Sequence, residues 1–270
     1  MQNQIIQSES LSYLKTLSRD SIDLIYIDPP FNTGKVQKYD RLKTKRSESG
    51  DRIGFQNQKY STERISSISY SDSFDDYLKF LSPFLEESFR ILDVNGSFFI
   101  HIDYREVHYV KVLLDNIFGR ENFKNEIIWS YDYGARSKTR WSTKHDNILW
   151  YVKDRDNYTF NFEEIDRIPY MAPGLVGEEK AKIGKTPTDV WWMTIVPTNG
   201  KERTGYPTQK PLKLVERIVK VHSKPGNLVL DFFAGSGTTG EACKINNRRY
   251  ILVDQNPEAI SIMNSRLKES

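Results

Sequence analysis

The segment Asp28-Pro29-Pro30-Phe31 combines residue types suited to chemistry on a planar amine. The exocyclic amine of adenine or cytosine is a poor nucleophile, because its lone pair is delocalised into the ring. Two acceptors that bind both amino hydrogens favour a pyramidal nitrogen, and the Asp28 carboxylate and the Pro29 carbonyl can supply them. Proline carries no N–H, and the Pro29-Pro30 step fixes where that carbonyl points. Phe31 offers a flat face for a base turned out of a duplex, so the segment predicts a catalytic loop rather than a plain strand end.

A second pattern with chemical meaning is a glycine-rich turn, Asp231-Phe232-Phe233-Ala234-Gly235-Ser236-Gly237-Thr238-Thr239. Its glycines let the backbone pass close to a ligand, and the helix that follows offers free N–H groups. Asp254 ends the next apolar run, at the spacing where an acidic residue meets a ribose. The same spacing fits a dinucleotide fingerprint, so the turn alone allows both an NAD enzyme and a methyltransferase. Asp231 favours S-adenosylmethionine, because a carboxylate there suits a cationic ligand and repels a pyrophosphate.

Apolar runs that alternate with helical periods predict the elements that position both motifs. The predicted strands are Ile22–Ile27, Ser97–Ile102, Glu126–Trp129, Ile148–Val152, Leu228–Phe232 and Tyr250–Val253. The predicted helices are Asp75–Leu92, Val107–Phe118, Pro211–Val221, a helix starting at Thr238–Lys244, and Pro257–Leu267. This alternation indicates an α/β fold with a mostly parallel sheet and helices on both faces. Ligands of such folds bind at the carboxyl ends of the strands, where both motifs are expected to meet.

Composition restricts the classes of protein that the chain can belong to. No apolar run approaches the roughly 18–20 residues that a membrane span needs, and the polar start of the chain lacks the layout of a signal peptide. Cys243 is the single cysteine, so an intrachain disulfide is excluded and a reducing cytoplasm is expected. No group of His, Cys, Asp or Glu has metal-ligand spacing, so no metal is expected.

The net charge is only +3, and the distribution of basic residues carries more information. Candidate DNA-binding residues form two clusters, Lys35, Lys38, Arg41 and Lys43 in the first, and Arg136, Lys138, Arg140 and Lys144 in the second. Tyr131, Tyr133 and Trp141 are interleaved with the second cluster, and such aromatics can stack on bases while the cations neutralise phosphates. The alternative interpretation of either cluster is a solvated, charged loop.

In their order along the chain, these motifs resemble those of the β-class amino-methylating DNA methyltransferases, in which the catalytic segment precedes the cofactor turn. Asp28–Gly34 resembles the catalytic loop of that family, and Asp231–Thr239 resembles its cofactor turn. Thr208–Pro211 resembles the family's Thr-x-Lys-Pro element. Asn125–Trp129 and Lys144–Asp146 are similar to the branch formed by the modification subunits of type III restriction systems.

The resemblance implies an α/β, Rossmann-like S-adenosylmethionine methyltransferase fold with a seven-stranded, mostly parallel sheet in permuted order. One strand of that sheet is antiparallel in the family. The catalytic domain would comprise residues 1–153 and 204–270. Two aperiodic stretches would be a flexible DNA-contacting loop at 34–72 and a small target-recognition insertion at 154–203, because long irregular connections are usually functional or mobile.

The resemblance also implies roles for individual residues. The catalytic residues would be Asp28, Pro29, Pro30 and Phe31. The cofactor would be bound by Glu9, Asp28, Thr208, Lys210, Asp231, Phe233, Ala234, Gly235, Ser236, Gly237, Thr238, Thr239, Asp254 and Gln255. Thr208 and Lys210 are expected at the carboxylate of the cofactor. The family has Gly-Asp where this chain has Ser8-Glu9, so Glu9 would contact the adenine of the cofactor through a longer side chain.

The function expected from these residues is S-adenosylmethionine-dependent methylation of N6 of adenine in double-stranded DNA, by base flipping, in a restriction-modification system or as an orphan enzyme. The nearest alternative is methylation of N4 of cytosine. An NAD-binding oxidoreductase and a non-catalytic DNA-binding module are alternatives of other classes. Protein or RNA methylation is a further alternative, because related tetrads act on glutamine amides. A homodimer and a restriction subunit are the protein partners that the resemblance allows. The expected location is the cytoplasm, for a protein that is bacterial, archaeal or phage-encoded.

Overall fold

The computed structural model describes residues 2–46, 52–53, 59–72, 74–197 and 199–268, and it gives the backbone alone for most of 35–71. The strands are β1 Gln4–Gln7, β2 Ile22–Ile27, β3 Lys35–Arg46, β4 Arg52–Ile53, β5 Lys59–Asp72, β6 Leu92–Ile102, β7 Phe123–Ser130, β8 His145–Val152, β9 Val190–Trp192, β10 Leu228–Asp231 and β11 Arg249–Asp254. The α-helices are α1 Ser10–Leu14, α2 Tyr77–Ile91, α3 Val107–Phe118, α4 Glu178–Ile183, α5 Leu212–His222, α6 Thr238–Ile245 and α7 Pro257–Leu267.

Eight strands form the main sheet, in the order β1-β11-β10-β2-β6-β8-β7-β9. Only β8 runs against its neighbours β6 and β7, and the other pairings are parallel. The prediction of a mostly parallel sheet with one antiparallel strand is therefore confirmed. The eighth strand, β9, is a correction to the seven expected. It has three residues and comes from the insertion, so it is too short to give a periodic signal.

Helices cover both faces of the sheet, which explains why its strands are continuous apolar runs. In β2, Ile25 and Ile27 point into one core, which α1, α2 and α3 close. Leu24 and Tyr26 point into a second core, which α5, α6 and α7 close. The alternation of side chains along a strand thus divides one apolar segment between two buried layers.

Residues 34–72 differ from the irregular loop that the sequence predicts. The described parts of this segment form an antiparallel ribbon of three strands, in which β3 pairs with β5 from Lys35 opposite Asp72 to Arg46 opposite Tyr60, and β4 pairs with the other edge of β5. A ribbon with polar residues on both faces has no hydrophobic period, so pattern reasoning misses it. Flexibility and DNA contact of this segment stay predictions.

The insertion at 154–203 is mostly irregular, as its prolines predict, and contains α4 and β9. Trp191 anchors it: its side chain is 7% exposed, donates a hydrogen bond to the Thr188 carbonyl and stacks under the Arg217 guanidinium. Its neighbour Trp192 is 72% exposed. Among the described residues, no helix combines the length and apolarity that crossing a membrane requires.

Candidate active site

The two motifs meet at one edge of the sheet because the strands that carry them are parallel neighbours. β10 pairs with β2 on one side and with β11 on the other, so Asp28, Asp231 and Asp254 all lie at carboxyl ends of adjacent strands. Together with the exit of β1, they border a cavity of about 340 Å³. The alternation of strands and helices predicted a site at these strand ends.

Nearly all of the predicted cofactor residues line this cavity, namely Glu9, Asp28, Thr208, Lys210, Asp231, Phe233, Ala234, Gly235, Ser236, Thr238, Thr239, Asp254 and Gln255. Gly237 is not among the lining residues. A Cβ atom at Gly237 would lie 2.7 Å from Cγ of Met263 in α7, so this glycine serves helix packing. A Cβ atom at Gly235 would instead lie 2.8 Å from the ring of Tyr206, another residue that lines the cavity.

Two carboxylates at strand ends line the cavity, Asp231, which is buried, and Asp254, which is partly buried. Asp231 accepts hydrogen bonds from the Phe233 amide at 3.0 Å and the Thr239 hydroxyl at 2.6 Å. Burial outweighs these bonds and raises the pKa of Asp231 to about 7. Asp254 accepts bonds from the amides of Gly235 and Asn256, and burial raises its pKa as well. Both groups gain from a cationic or hydroxyl-bearing ligand.

Glu9 also occupies the cavity edge, but its carboxylate is already used. It caps α1 by accepting hydrogen bonds from the amides of Leu11 at 3.0 Å and Ser12 at 2.7 Å. Burial raises the pKa of Glu9, and these hydrogen bonds more than offset it, so the net pKa is lowered. Glu9 therefore has a structural role, beside which contact with a ligand stays a prediction.

Lys210 lies at the Asp28 carboxylate and also lines the first cavity, and its expected contact with a cofactor carboxylate stays a prediction. Its ammonium donates a hydrogen bond to Oδ2 of Asp28 and lies 5.0 Å from the centre of the Phe31 ring. Oδ1 of Asp28 is buried and accepts no hydrogen bond from any residue that the structure describes. The site thus contains one engaged carboxylate oxygen and one acceptor that lacks a donor.

The backbone of the catalytic loop is fixed from the side of α2. The Tyr77 hydroxyl donates to the Pro30 carbonyl at 2.7 Å, which leaves the Pro29 carbonyl as the neighbouring acceptor. Asn32 has a positive φ of 56°, and its amide donates to the Asp72 carboxylate at 2.7 Å. Asp72 ends β5, so the last residue of the ribbon holds the end of the loop.

A second cavity borders Phe31 and is lined by Phe31, Asp103, Tyr104, Arg105, Tyr131, Thr143, His145 and Asp146. Behind Phe31 lies His101, which is fully buried and stacks on the Phe31 ring at 5.7 Å between centres. His101 contacts the Tyr26 hydroxyl at 3.3 Å and the Asp146 carboxylate at 3.1 Å. These polar contacts fix the ring against which Phe31 packs.

Sequence reasoning missed several residues of the site. His101 gave no local signal, because it lies in an apolar strand and is matched by Asp146 from another strand. Phe80 and Phe84 line the first cavity, and their spacing of four residues on α2 places them on one face. That spacing was the available signal for an apolar wall. Tyr206 precedes Thr208 and had no periodic context.

The predicted DNA-binding residues divide into three groups. Lys35, Lys38, Arg41 and Lys43 lie on β3, and their side chains are outside the described residues. Arg136, Lys138 and Arg140 are exposed in the loop between β7 and β8. Lys144 differs from them, because its ammonium donates to the carbonyls of Tyr133 at 2.6 Å and Ala135 at 2.8 Å and so shapes that loop. Within the described part of the chain, no cluster of three or more His, Cys, Asp or Glu side chains is arranged to hold a metal.

Two solved structures share this fold over almost the entire chain. The M1.HpyAVI–SAM complex superposes with a TM-score of 0.63 at 22% identity, covering 98% of this chain and 99% of that one. The PvuII DNA methyltransferase (cytosine-N4-specific) superposes with a TM-score of 0.66 at 17% identity, covering 100% and 87%. At these identities the likeness concerns the fold.

Similarity in sequence shows the family as well as the fold. Type II methyltransferase M.HpaI of Haemophilus parainfluenzae is 33% identical over 267 residues, which cover 99% of this chain and 74% of that protein. DNA adenine methyltransferase YhdJ of Escherichia coli K12 is 30% identical over 276 residues, covering 97% and 82%. A family model described as DNA methylase matches residues 22–265. With its catalytic loop, cofactor turn and sheet in the arrangement above, the chain belongs to the DNA methylase family.

Proposed function

We propose that the protein transfers a methyl group from S-adenosylmethionine to N6 of adenine in double-stranded DNA, after the base is flipped out of the helix. The observation that carries the proposal is the buried Oδ1 atom of Asp28, a residue that lines the first cavity, because this acceptor has no donor among the described residues. A buried acceptor without a partner costs about 1–3 kcal/mol, and an amino hydrogen of a base would remove that cost.

The first cavity fits S-adenosylmethionine by its chemistry. Asp231 offers a carboxylate to the cationic end of the ligand, and Asp254 offers one to a ribose. Phe80 and Phe84 supply an apolar wall for a flat ring, and Gly235 leaves room that a side chain would fill. When bound, the cofactor supplies an electrophilic methyl group on a sulfonium sulfur.

The residues of the protein hold and orient the amine. Oδ1 of Asp28 and the carbonyl of Pro29 accept hydrogen bonds from its two N–H groups, which frees the nitrogen lone pair for attack. Lys210 holds the other oxygen of Asp28, so the carboxylate cannot rotate away. Phe31 stacks on the flipped base and is itself supported by His101. Catalysis therefore depends mainly on alignment.

Double-stranded DNA is the substrate in this proposal, and three regions of the protein contact it. The exposed cations of the loop between β7 and β8 neutralise phosphates. The ribbon at 34–72 and the insertion at 154–203 read the duplex. A homodimer and a restriction subunit are the protein partners that the family resemblance allows, and the cytoplasm is the expected location.

The choice of adenine over cytosine is supported by relatives in sequence. YhdJ carries an adenine-methyltransferase name. The PvuII structure is named for N4 of cytosine, and an amine on cytosine would meet the same two acceptors. The match to the DNA methylase family favours methylation of either base over the activity of an NAD-dependent oxidoreductase.

The deciding experiment is transfer of labelled methyl groups from S-adenosylmethionine to unmethylated genomic DNA, followed by nucleoside analysis. Label in N6-methyladenine is the expected result. Label only in N4-methylcytosine would change the base while keeping the mechanism, and absence of label from all nucleosides would reject the proposal.

A paired variant tests the mechanism itself. Asp28→Ala should abolish transfer and preserve cofactor binding, because Asp28 acts on the base. Asp115→Asn removes a comparable carboxylate–lysine pair, with Lys111 in α3, and should leave transfer intact. Retained activity in Asp28→Ala would overturn the mechanism.

A further inference from the structure

Trp141 is almost completely exposed, which is unusual for a side chain of this size. Its exposed fraction is 97%, whereas Trp129 and Trp150 on the adjoining strands are 3% and 5% exposed. A tryptophan gains more from burial than most side chains, so a partner that covers this ring would be favourable. Substitution at so exposed a position should barely affect folding.

The segment that carries Trp141 has a defined shape. Residues 131–144, the β7–β8 loop, contain a turn closed by the Ser137 amide donating to the Ser142 hydroxyl at 2.7 Å. The Ser137 hydroxyl accepts from the amides of Thr139 and Arg140 inside that turn. At the base of the loop, Lys144 is bonded to two backbone carbonyls. The indole is therefore held outward by a hydrogen-bonded turn.

The position of the loop relates Trp141 to the base. Tyr131 and Thr143, near its two ends, line the second cavity beside Phe31. Trp141 is two residues from Thr143, which corresponds to about 7 Å of extended chain. The ring is therefore close enough to the second cavity to meet a duplex whose target base is delivered to Phe31.

Charge selects the kind of partner. Arg140 immediately precedes Trp141, Lys138 lies three residues before it, and both are exposed. Arg136 adds a third cation, which pairs with Asp132. An aromatic ring beside exposed cations matches a stack of bases beside phosphates. Binding to an apolar protein surface would bury the ring favourably, but it would also desolvate the neighbouring cations, which is unfavourable.

We propose that Trp141 inserts into the base stack of duplex DNA and fills the space that the flipped target base leaves. The inference rests on the proposed function, because it assumes that a base is flipped toward Phe31. Base–aromatic stacking would then stabilise the open duplex, as inserted side chains do in proteins that unstack DNA.

Fluorescence tests the insertion without relying on activity. Titration of the protein with unmethylated duplex plasmid DNA should quench tryptophan emission, and Trp141→Phe should lose most of that quenching. Equal quenching in the wild type and in Trp141→Phe would overturn the inference.

Kinetics test the role in flipping. On duplex DNA, Trp141→Ala should lower kcat/KM by about tenfold to a hundredfold, the range expected for loss of one base–aromatic stack. Trp141→Phe should retain part of the activity. On the same duplex with the target base mismatched, the loss in Trp141→Ala should shrink to about twofold, because an unpaired base needs less help to leave the stack.

The control is Tyr109→Ala, which removes another exposed aromatic ring, from α3 and outside both cavities, and should match the wild type on both substrates. An equal loss on paired and mismatched DNA, or no loss on either, would reject the role in flipping. If the wild type methylates no DNA, the proposed function fails, and the quenching experiment still decides whether Trp141 enters the duplex.

Discussion

The ammonium of Lys210 donates a hydrogen bond to Oδ2 of Asp28, while Oδ1 of the same carboxylate is buried and has no donor among the described residues. The two residues are 182 positions apart in the sequence, and each belongs to a different motif. The pair fixes the Asp28 carboxylate through one of its two oxygen atoms. It also balances a charge that the low-dielectric interior would otherwise disfavour.

Removing the ammonium should therefore damage catalysis and stability together. For Lys210→Met we expect kcat to fall on the order of 100-fold, because the carboxylate loses its fixed orientation. The free energy of unfolding should fall by about 3 kcal/mol, because Asp28 is left without its partner. Single-turnover methylation and denaturant unfolding measure the two effects.

The control is the double variant Asp28→Asn/Lys210→Met, in which no charge is left unbalanced. It should recover most of the lost stability and stay inactive. An unchanged kcat in Lys210→Met would show that Asp28 does not need this lysine.

Asp231 should make the stability of the free protein depend on pH. Its pKa is raised from 3.8 to about 7 by burial, so the folded state disfavours ionisation. The favourable contribution of the neutral form is complete below the ordinary pKa and is lost as the pH rises through about 7. Relative to Asp231→Asn, the wild type should lose on the order of 2–4 kcal/mol between about pH 4 and about pH 8. If the unfolding free energies of the wild type and of Asp231→Asn change with pH in parallel, the prediction is contradicted.

The same carboxylate should couple cofactor binding to pH. A cationic ligand favours ionised Asp231, so affinity for S-adenosylmethionine should rise as the pH rises through about 7. S-adenosylhomocysteine lacks the sulfonium charge and should show a weaker dependence. Calorimetric titration of both ligands across this range provides the measurement, and identical slopes would exclude Asp231 as the coupled group.

The two glycines of the cofactor turn should respond differently to alanine. In Gly235→Ala the new methyl group meets Tyr206 inside the cavity, so the Kd for S-adenosylmethionine should rise by about tenfold or more. In Gly237→Ala it meets the buried Met263, at a φ of +74°, so the unfolding free energy should fall by about 2 kcal/mol. The affinity of folded Gly237→Ala for S-adenosylmethionine should stay near the wild-type value. A large loss of affinity would show that Gly237 is part of the cofactor site.

Tyr77→Phe should loosen the catalytic loop, because the Pro30 carbonyl loses its donor. We expect a loss of about 1–2 kcal/mol in stability and a kcat that is lower by several-fold. Tyr151→Phe is the matched control, since it removes a tyrosine hydroxyl that bonds to Asp115 away from the site. It should cost similar stability and leave kcat unchanged. Equal kcat values in the two variants would mean that Tyr77 only stabilises the fold.

Local patterns in the sequence predicted six strands of the main sheet, five of the helices and the chemistry carried at the strand ends. The helix at Val107–Phe118 has the predicted bounds, and the strands at Ile22–Ile27 and Leu228–Asp231 lie where apolar runs end in acidic residues. Apolar periodicity and turn residues act over a few positions, so a linear reading captures them. Strand order then brought Asp28 and Asp231 to one sheet edge, as expected.

Tertiary structure alone decided which partner each polar group has. It joined Lys210 to Asp28, placed His101 behind Phe31, turned Gly237 toward α7 and folded the polar segment at 34–72 into a ribbon. These pairings are set by packing between distant elements, where burial forces each donor and acceptor to find a partner. Residue type and spacing state what a side chain can do, and only the packed chain fixes which neighbour it meets.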